Sequence, residues 1–405
     1  MPWKRAFAAL SYRDFRILWL GAFASTVGTW MQKVAQSWLV FDLTKSSFFL
    51  GLDDFLGQLP ILLFTIVGGV VADRHDRRRL LLGSQYVQMA TAFGLAALIW
   101  TGQVRIQHVL FMSFLTGLAQ AFGGPAYQSL IPSLVEKKHL PNAIALNSIQ
   151  FNLSRIFGSL FAGATIAALG TALCFGLNGL SFLVVIFALL SLSVKHIPAA
   201  ERRPILEELH GGFSYTRREP ALIALTVLAC LTTFFGLPLV TFLPVFARDV
   251  FNGDIGLYSR MMAFVGMGSV TGALIVGWLG RFKGMALTLL IVEVAFGLVI
   301  VAFSISKTLW LSELLLFAAG TSMMIVTAMA TSLVQLIVPD RLRGRVVSIY
   351  MVAFRGGMPL GSLASGYAAS VAGAPAVLAV NGALVSLAGI YFLTRTGFAG
   401  LNAEQ

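Results

Sequence analysis

Twelve apolar stretches of helix length follow one another along this chain, separated by short polar breaks. They lie at about 15–40, 47–71, 79–101, 106–128, 142–169 and 171–193, then at about 221–246, 256–280, 284–305, 308–337, 344–371 and 373–394. A segment in hydrocarbon must satisfy its own backbone groups, and barrel strands would alternate in polarity instead. The expected fold class is therefore an all-α membrane protein, with twelve transmembrane helices in two six-helix bundles. Charged residues make up 11% and hydrophobic residues 57%, against about 25% charged in a soluble domain. Each crossing needs roughly 20 apolar residues, so twelve of them leave no room for a large soluble domain. The first apolar stretch is too long for a signal-peptide core, so it reads as a retained helix.

The net charge of +12 comes from short basic clusters between the apolar runs. Of 29 Lys and Arg, 21 lie in the N-terminus, the even-numbered connections and the C-terminus. The opposite connections hold only Lys45, Arg105, Arg248, Arg260 and Lys307. This bias places both termini in the cytoplasm, with no call for a nucleic-acid partner. The domains expected are 1–193, a linker 194–220, and 221–405. In the linker, Ile205, Leu206, Leu209 and Phe213 share one helical face, which suggests an amphipathic helix on the inner membrane surface.

The halves repeat at an offset of 203 positions. Gly158-Ser159-Leu160 matches Gly361-Ser362-Leu363; Gly163, Gly170 and Asn178-Gly179 match Gly366, Gly373 and Asn381-Gly382. Paired repeats of membrane helices are a transporter architecture. Cys174 and Cys230 lie inside apolar runs and read as free thiols. No zinc spacing and no phosphate-binding loop are present. The chain is thus expected to be no enzyme, to use no cofactor or metal, and to draw on an ion gradient.

The loop after the second span reads Gly69-Val70-Val71-Ala72-Asp73-Arg74-His75-Asp76-Arg77-Arg78-Arg79. It resembles the signature loop of the major facilitator superfamily, with Asp76 where glycine is common. Physically, Gly69 would let a helix approach closely, and Asp73 would suit a helix N-terminus. The resemblance implies that Gly69, Asp73, Arg74, Arg77 and Arg78 form an inner gate. The second-half copy, Gly277-Trp278-Leu279-Gly280-Arg281, has Arg281 in place of the aspartate.

Ser11-Tyr12-Arg13-Asp14-Phe15-Arg16, Val27-Gly28-Thr29-Trp30-Met31-Gln32 and Thr44-Lys45-Ser46-Ser47 extend the likeness. So do Leu140-Pro141-Asn142-Ala143, Gly211-Gly212-Phe213-Ser214-Tyr215-Thr216-Arg217-Arg218 and Val338-Pro339-Asp340-Arg341-Leu342-Arg343-Gly344-Arg345. Over nearly its whole length the chain resembles the enterobactin-exporter and macrolide-efflux branch, the transmembrane secretion effector type. That implies a monomer in the bacterial inner membrane, exporting a siderophore, drug or related small molecule by alternating access and proton antiport. Arg341, Arg343 and Arg345 become candidate partners of Asp73. One departure bears on antiport: the Gly-Pro then Gly-Gly pattern common in the fifth helix of such exporters here carries Ser159 and Ala162. A lipid or lysophospholipid flippase and an uptake symporter remain alternatives on the same fold, and a non-transporting sensor or assembly partner is the alternative of another class.

Charges inside a bilayer cost several kcal/mol unless paired or wet. Lys33 lies roughly 27 Å up the first helix, and Asp53 and Asp54 roughly 30 Å up the second. The similar depth suggests a contact of Lys33 with one of the acids, either for proton coupling or as a static ion pair. Arg155 and Arg355 sit near mid-membrane and suit an anionic substrate group or helix packing. Glu293 stands alone in the ninth span, which the resemblance places at the periphery, so it reads as structural or protonated and not catalytic. By the same resemblance Thr29, Trp30, Gln32, Gln36, Gln120, Thr232, Thr233, Phe234, Phe235, Thr327, Thr331 and Gln335 are candidate cavity-lining residues. Replacing both Asp53 and Asp54 by Asn is expected to abolish proton-driven transport in vesicles if they couple; full transport would leave only the static pair.

Overall fold

The computed structural model describes residues 7–193, 213, 215–339 and 342–394, the side chains of Ile66 and Asp73 excepted. The linker face of Ile205, Leu206 and Leu209 lies outside the described residues, as does Arg341. The long helices are α1 (Arg13–Thr44), α2 (Ser47–Arg74), α3 (Arg77–Trp100), α4 (Ile106–Leu130), α5 (Leu140–Leu169) and α6 (Thr171–Leu190). They continue with α7 (Pro220–Val250), α8 (Ile255–Leu279), α9 (Met285–Ile305), α10 (Leu309–Ile337), α11 (Arg343–Ala372) and α12 (Ala374–Thr394). Ten of these are long and apolar enough to cross a membrane; α1 and α3 fall short of that apolar content.

The lipid-facing surface is apolar and ends in tryptophan. Trp278 is 87% exposed, Trp100 73% and Trp310 68%, and each lies within the terminal turns of its helix. Amphipathic indoles collect at the headgroup level of a bilayer, so these exposures suit a membrane and not water.

Two compact units divide the chain. Unit 1 comprises Met1–Lys45, Leu56–Ala200 and Ile255–Ala263; unit 2 comprises Ser46–Phe55, Glu201–Asp254 and Phe264–Gln405. The core of unit 1 holds Phe15, Leu18, Leu81, Leu146, Phe182 and Leu189. That of unit 2 holds Leu222, Leu225, Leu289, Met329, Leu333 and Tyr350.

The 203-residue repeat is a record of packing. In unit 1, a Cβ on Gly158 would lie 2.6 Å from Trp30 Cβ, and one on Gly163 would lie 2.7 Å from Ser259 Oγ. In unit 2, a Cβ on Gly361 would collide with the Phe234 backbone, and one on Gly366 would lie 3.1 Å from Gly51 Cα. Small residues let helix backbones touch, which is the main source of helix association where lipid removes the hydrophobic drive. Gly170 (φ 85°) and Gly373 (φ 83°) close α5 and α11 in the positive-φ region, where a side chain would be strained.

α7 is the irregular member. It contains π turns at Thr232–Gly236 and Phe246–Val250, with Pro238 and Pro244 between them. Proline lacks the N–H that an α-helix needs, and π turns recur at functional sites. Gly361→Ala, which drives a methyl into Phe234 backbone, is expected to cost about 1–3 kcal/mol. Gly176→Ala, with open space around its Cβ, is expected to cost nothing; detergent-phase thermal unfolding of both checks the contrast.

Candidate functional site

The loop between α2 and α3 shows how the chain handles charge at a helix end. Asp76 is the N-cap of α3, accepting from the backbone N–H of Arg78 (2.9 Å) and Arg79 (3.3 Å). The departure from glycine at this position therefore closes two orphan donors. Arg77 Nη1 donates to the Ser129 carbonyl at 3.0 Å. Arg78 donates to the carbonyls of Leu190 (2.7 Å) and Leu192 (3.3 Å), capping the end of α6. A cation there also meets the negative end of the helix dipole. Arg74 is exposed. The close approach assigned to Gly69 is found one residue earlier: a Cβ on Gly68 would collide with the Ala121 carbonyl, whereas nothing lies within 4 Å of one on Gly69. In a helix, a shift of one residue turns the face by roughly 100°. In unit 2, Arg343 opens α11 and its Nε donates to the Gln335 carbonyl at 3.3 Å, Arg345 lies in the same first turn, and Gln335 is exposed.

Deeper in unit 1, most polar groups are satisfied between helices. Gln32 Oε1 accepts from Asn178 Nδ2 at 2.6 Å, and Gln32 is buried. Gln36 donates to Ser113 Oγ at 2.8 Å. Gln120 reaches Gln88 at 3.4 Å, and Gln88 reaches Ser84 Oγ at 3.1 Å, so a polar ladder joins α3 to α4. Thr29 donates to its own helix at the Ser25 carbonyl.

Trp30 is different. The Arg155 guanidinium lies 5.8 Å from the centre of its ring and Lys33 Nζ lies 5.5 Å from it. Phe151, one turn before Arg155, meets the ring edge-to-face at 5.8 Å. Nε and Nη2 of Arg155 are buried and have no hydrogen-bond partner among the described residues. For these two nitrogens the cation–π contact with Trp30 offsets only part of the cost of burial. Position on the helix already pointed to Arg155; Trp30 as the group that receives it was visible only as an aromatic in α1.

In unit 2, Asp54 Oδ2 accepts from Ser362 Oγ at 2.6 Å, and Thr241 Oγ1 lies 3.3 Å from the same hydroxyl. Asp53 is buried. Both acids fall in unit 2 and Lys33 in unit 1. Arg355 is exposed on α11. Phe234 and Phe235 pack edge-to-face at 4.8 Å. Thr233 is buried and donates to the Ala229 carbonyl at 2.9 Å. Thr327 and Thr331 donate to carbonyls one turn back, and Thr331 Oγ1 also reaches Tyr350 Oη at 3.5 Å. A narrow crevice is lined by Leu228, Thr232, Thr327, Tyr350 and Phe354, among others. Behind it Thr232 Oγ1 lies 2.6 Å from Glu293 Oε1. Sequence reasoning treated Glu293 as peripheral; its signal was a lone acid in an otherwise apolar span.

A chain of long apolar helices with most polar groups satisfied internally and a guanidinium at depth describes a multi-pass membrane protein. The fold agrees: it is similar to a bacterial homologue of the human lysosomal transporter Spinster, with a TM-score of 0.75, 15% identity, and coverage of 97% of this chain and 98% of that one. The family model described as transmembrane secretion effector matches residues 4–399, so the chain belongs to that family of the major facilitator superfamily. Among its relatives, the staphyloferrin A transporter of Staphylococcus aureus is 23% identical, over 89% of this chain and 91% of that protein. Macrolide efflux protein A of Streptococcus pyogenes is 22% identical, over 92% and 93%. These relatives are transporters and not enzymes, in line with the absence of catalytic motifs.

Asp76→Ala is expected to cost about 1 kcal/mol by removing the α3 N-cap, while Asp76→Asn, which can still accept both N–H groups, is expected to keep most of it. Denaturation of the two variants in detergent measures the difference.

Proposed function

We propose that this protein is a secondary active exporter of small organic acids, with twelve spans in two bundles, alternating access and proton antiport. Arg155 carries the reading. Two of its nitrogens are buried without partners, its plane rests near Trp30, and Lys33 approaches the same ring. A carboxylate or another anionic group arriving there satisfies the guanidinium bidentately. Staphyloferrin A, the cargo in one relative's name, supports a siderophore-like acid as the first compound to test.

In this reading the aromatic floor of Trp30 and Phe151 binds the apolar body of the cargo, and Arg155 reads its charge. Thr29, Gln36 and Gln120 of the same unit supply further polar contacts. The α2–α3 loop serves the inner gate, and Arg77 and Arg78 hold that loop to its own half through helix-end carbonyls. Both termini face the cytoplasm, as the basic loops indicate. Gradient-driven export follows from a chain with no nucleotide-binding loop.

The test is flux in proteoliposomes with an imposed pH gradient, using staphyloferrin A as the acidic probe and erythromycin as a basic one. The wild type is expected to move the acidic probe. Arg155→Gln is expected to slow it at least tenfold, equivalent to about 1.4 kcal/mol of lost binding, with Arg155→Lys intermediate because it keeps charge without the planar fork. Unchanged acidic-probe flux in Arg155→Gln refutes the anion assignment.

A further inference from the structure

Glu293 is fully buried in α9 of unit 2, deeper than any role in helix solvation requires. Its Oε1 lies 2.6 Å from Thr232 Oγ1, and its Oε2 is buried with no partner among the described residues. No lysine or arginine among the described residues pairs with it. The packed elements explain why. α12 carries no Asp, Glu, Lys, Arg or His; α10 carries only Glu313, in its opening turns. α7 carries only Arg248 and Asp249, some 16 residues past Thr232 or roughly 24 Å along the helix. Titratable groups near this end are Cys230 on α7, Tyr350 on α11 and Tyr391 on α12. On α12, Gly389 packs 3.3 Å from Glu293 Cγ, measured from the Cβ it lacks, so no water-filled space opens on that side.

Proton accounting at Thr232 decides the state of the acid. The hydroxyl has one proton and two acceptors within reach, the Leu228 carbonyl at 2.8 Å and Glu293 Oε1 at 2.6 Å. If Glu293 were ionised, Thr232 could satisfy only one of its oxygens, and Oε2 would be a bare anion in hydrocarbon, at a cost of several kcal/mol. If Glu293 is a carboxylic acid, every proton has a place. The acid O–H donates to Thr232 Oγ1, the Thr232 O–H donates to the Leu228 carbonyl, and Oε2 remains a neutral carbonyl oxygen, which tolerates isolation far better.

We propose that Glu293 and Thr232 form a proton-carrying site in unit 2, separate from the anion site on Arg155 in unit 1. Thr232 is the relay. It touches the acid on one side and lines the crevice with Thr327 and Tyr350 on the other. When the proton leaves, it passes from Glu293 to Thr232 Oγ1 as Thr232 hands its own proton to a water molecule that has entered the crevice, which becomes hydronium and carries it off. The new Thr232 hydroxyl then donates to the carboxylate. One proton is lost and no other bond changes. Thr232 opens a π turn, where backbone hydrogen bonding is already rearranged and a hydroxyl can switch acceptors at small cost. The coupling of this proton to cargo rests on the antiport reading above; the protonated acid does not.

Two measurements separate them. Infrared spectra of the purified protein in lipid nanodiscs without cargo are expected to show a carboxylic-acid C=O band at neutral pH that Glu293→Gln removes. Thr232→Val is expected to shift that band, and it serves where Glu293→Gln does not fold. A wild-type minus Glu293→Gln difference showing a carboxylate band instead overturns the proposal. In proteoliposomes with staphyloferrin A, Glu293→Gln is expected to retain exchange of labelled for unlabelled compound while losing all acceleration by a pH gradient. Gradient acceleration equal to wild type in that variant overturns the coupling role. A wild type that carries the infrared band yet ignores the gradient sinks the antiport reading and leaves the proton site standing.

Discussion

In hydrocarbon no water stands by to accept or donate a hydrogen bond, and every other feature of this protein follows from that constraint. Backbone groups are satisfied within helices. Side-chain hydroxyls turn back onto the preceding turn, as Thr29, Ser159, Thr226 and Thr331 do. Amides pair across helices, as Gln32 does with Asn178 and Asn381 with Ser365. Cations at the helix ends take the carbonyls that the helix itself leaves unpaired, which is the use made of Arg77 and Arg78.

The same constraint sets how helices associate. Burying apolar surface drives little when the alternative is lipid, so close backbone contact has to do the work. Glycines on facing helices provide it. Gly57 meets Gly117 in unit 1, and Gly297 meets Gly382 in unit 2. The repeated Gly-Ser-Leu triplets in α5 and α11 place small residues on equivalent faces of the two halves. Their neighbours are fragments that cross from the other half in sequence: 255–263 against Gly163 and 46–55 against Gly366.

Against that background four side chains among the described residues leave buried polar atoms open: Arg78 at Nε, Arg155 at Nε and Nη2, Ser259 at Oγ and Glu293 at Oε2. Of these, Arg155 and Glu293 are the two ionisable side chains that lie deep within a long apolar helix. Arg155 belongs to unit 1 and Glu293 to unit 2. A structure that satisfies Gln32, Gln88 and Asn178 so completely has the means to satisfy these as well. Leaving them unsatisfied costs stability and retains affinity for something that comes and goes: an anion for the guanidinium, a proton for the carboxyl. Function here is concentrated where hydrogen bonding is incomplete.

The helical class, the membrane setting, the internal repeat and the transporter family were all legible in the chain itself. Each depends on properties that act locally: apolar length, loop charge, and small residues at fixed intervals. The depth of Arg155 and the isolation of Glu293 could likewise be counted along a helix. Which polar residues are spent on packing could not. Gln32 is consumed by a residue 146 positions away, Thr233 is sealed against Gly357, and the helix contact expected at Gly69 is made by Gly68 instead. Arg155 finds Trp30 because Gly158 lets α1 and α5 touch, and Thr232 finds Glu293 across 61 positions. The direction a side chain faces depends on which helices approach it and at what rotation. Contacts between distant segments set that rotation, so only the folded arrangement decides which groups are satisfied and which stay open.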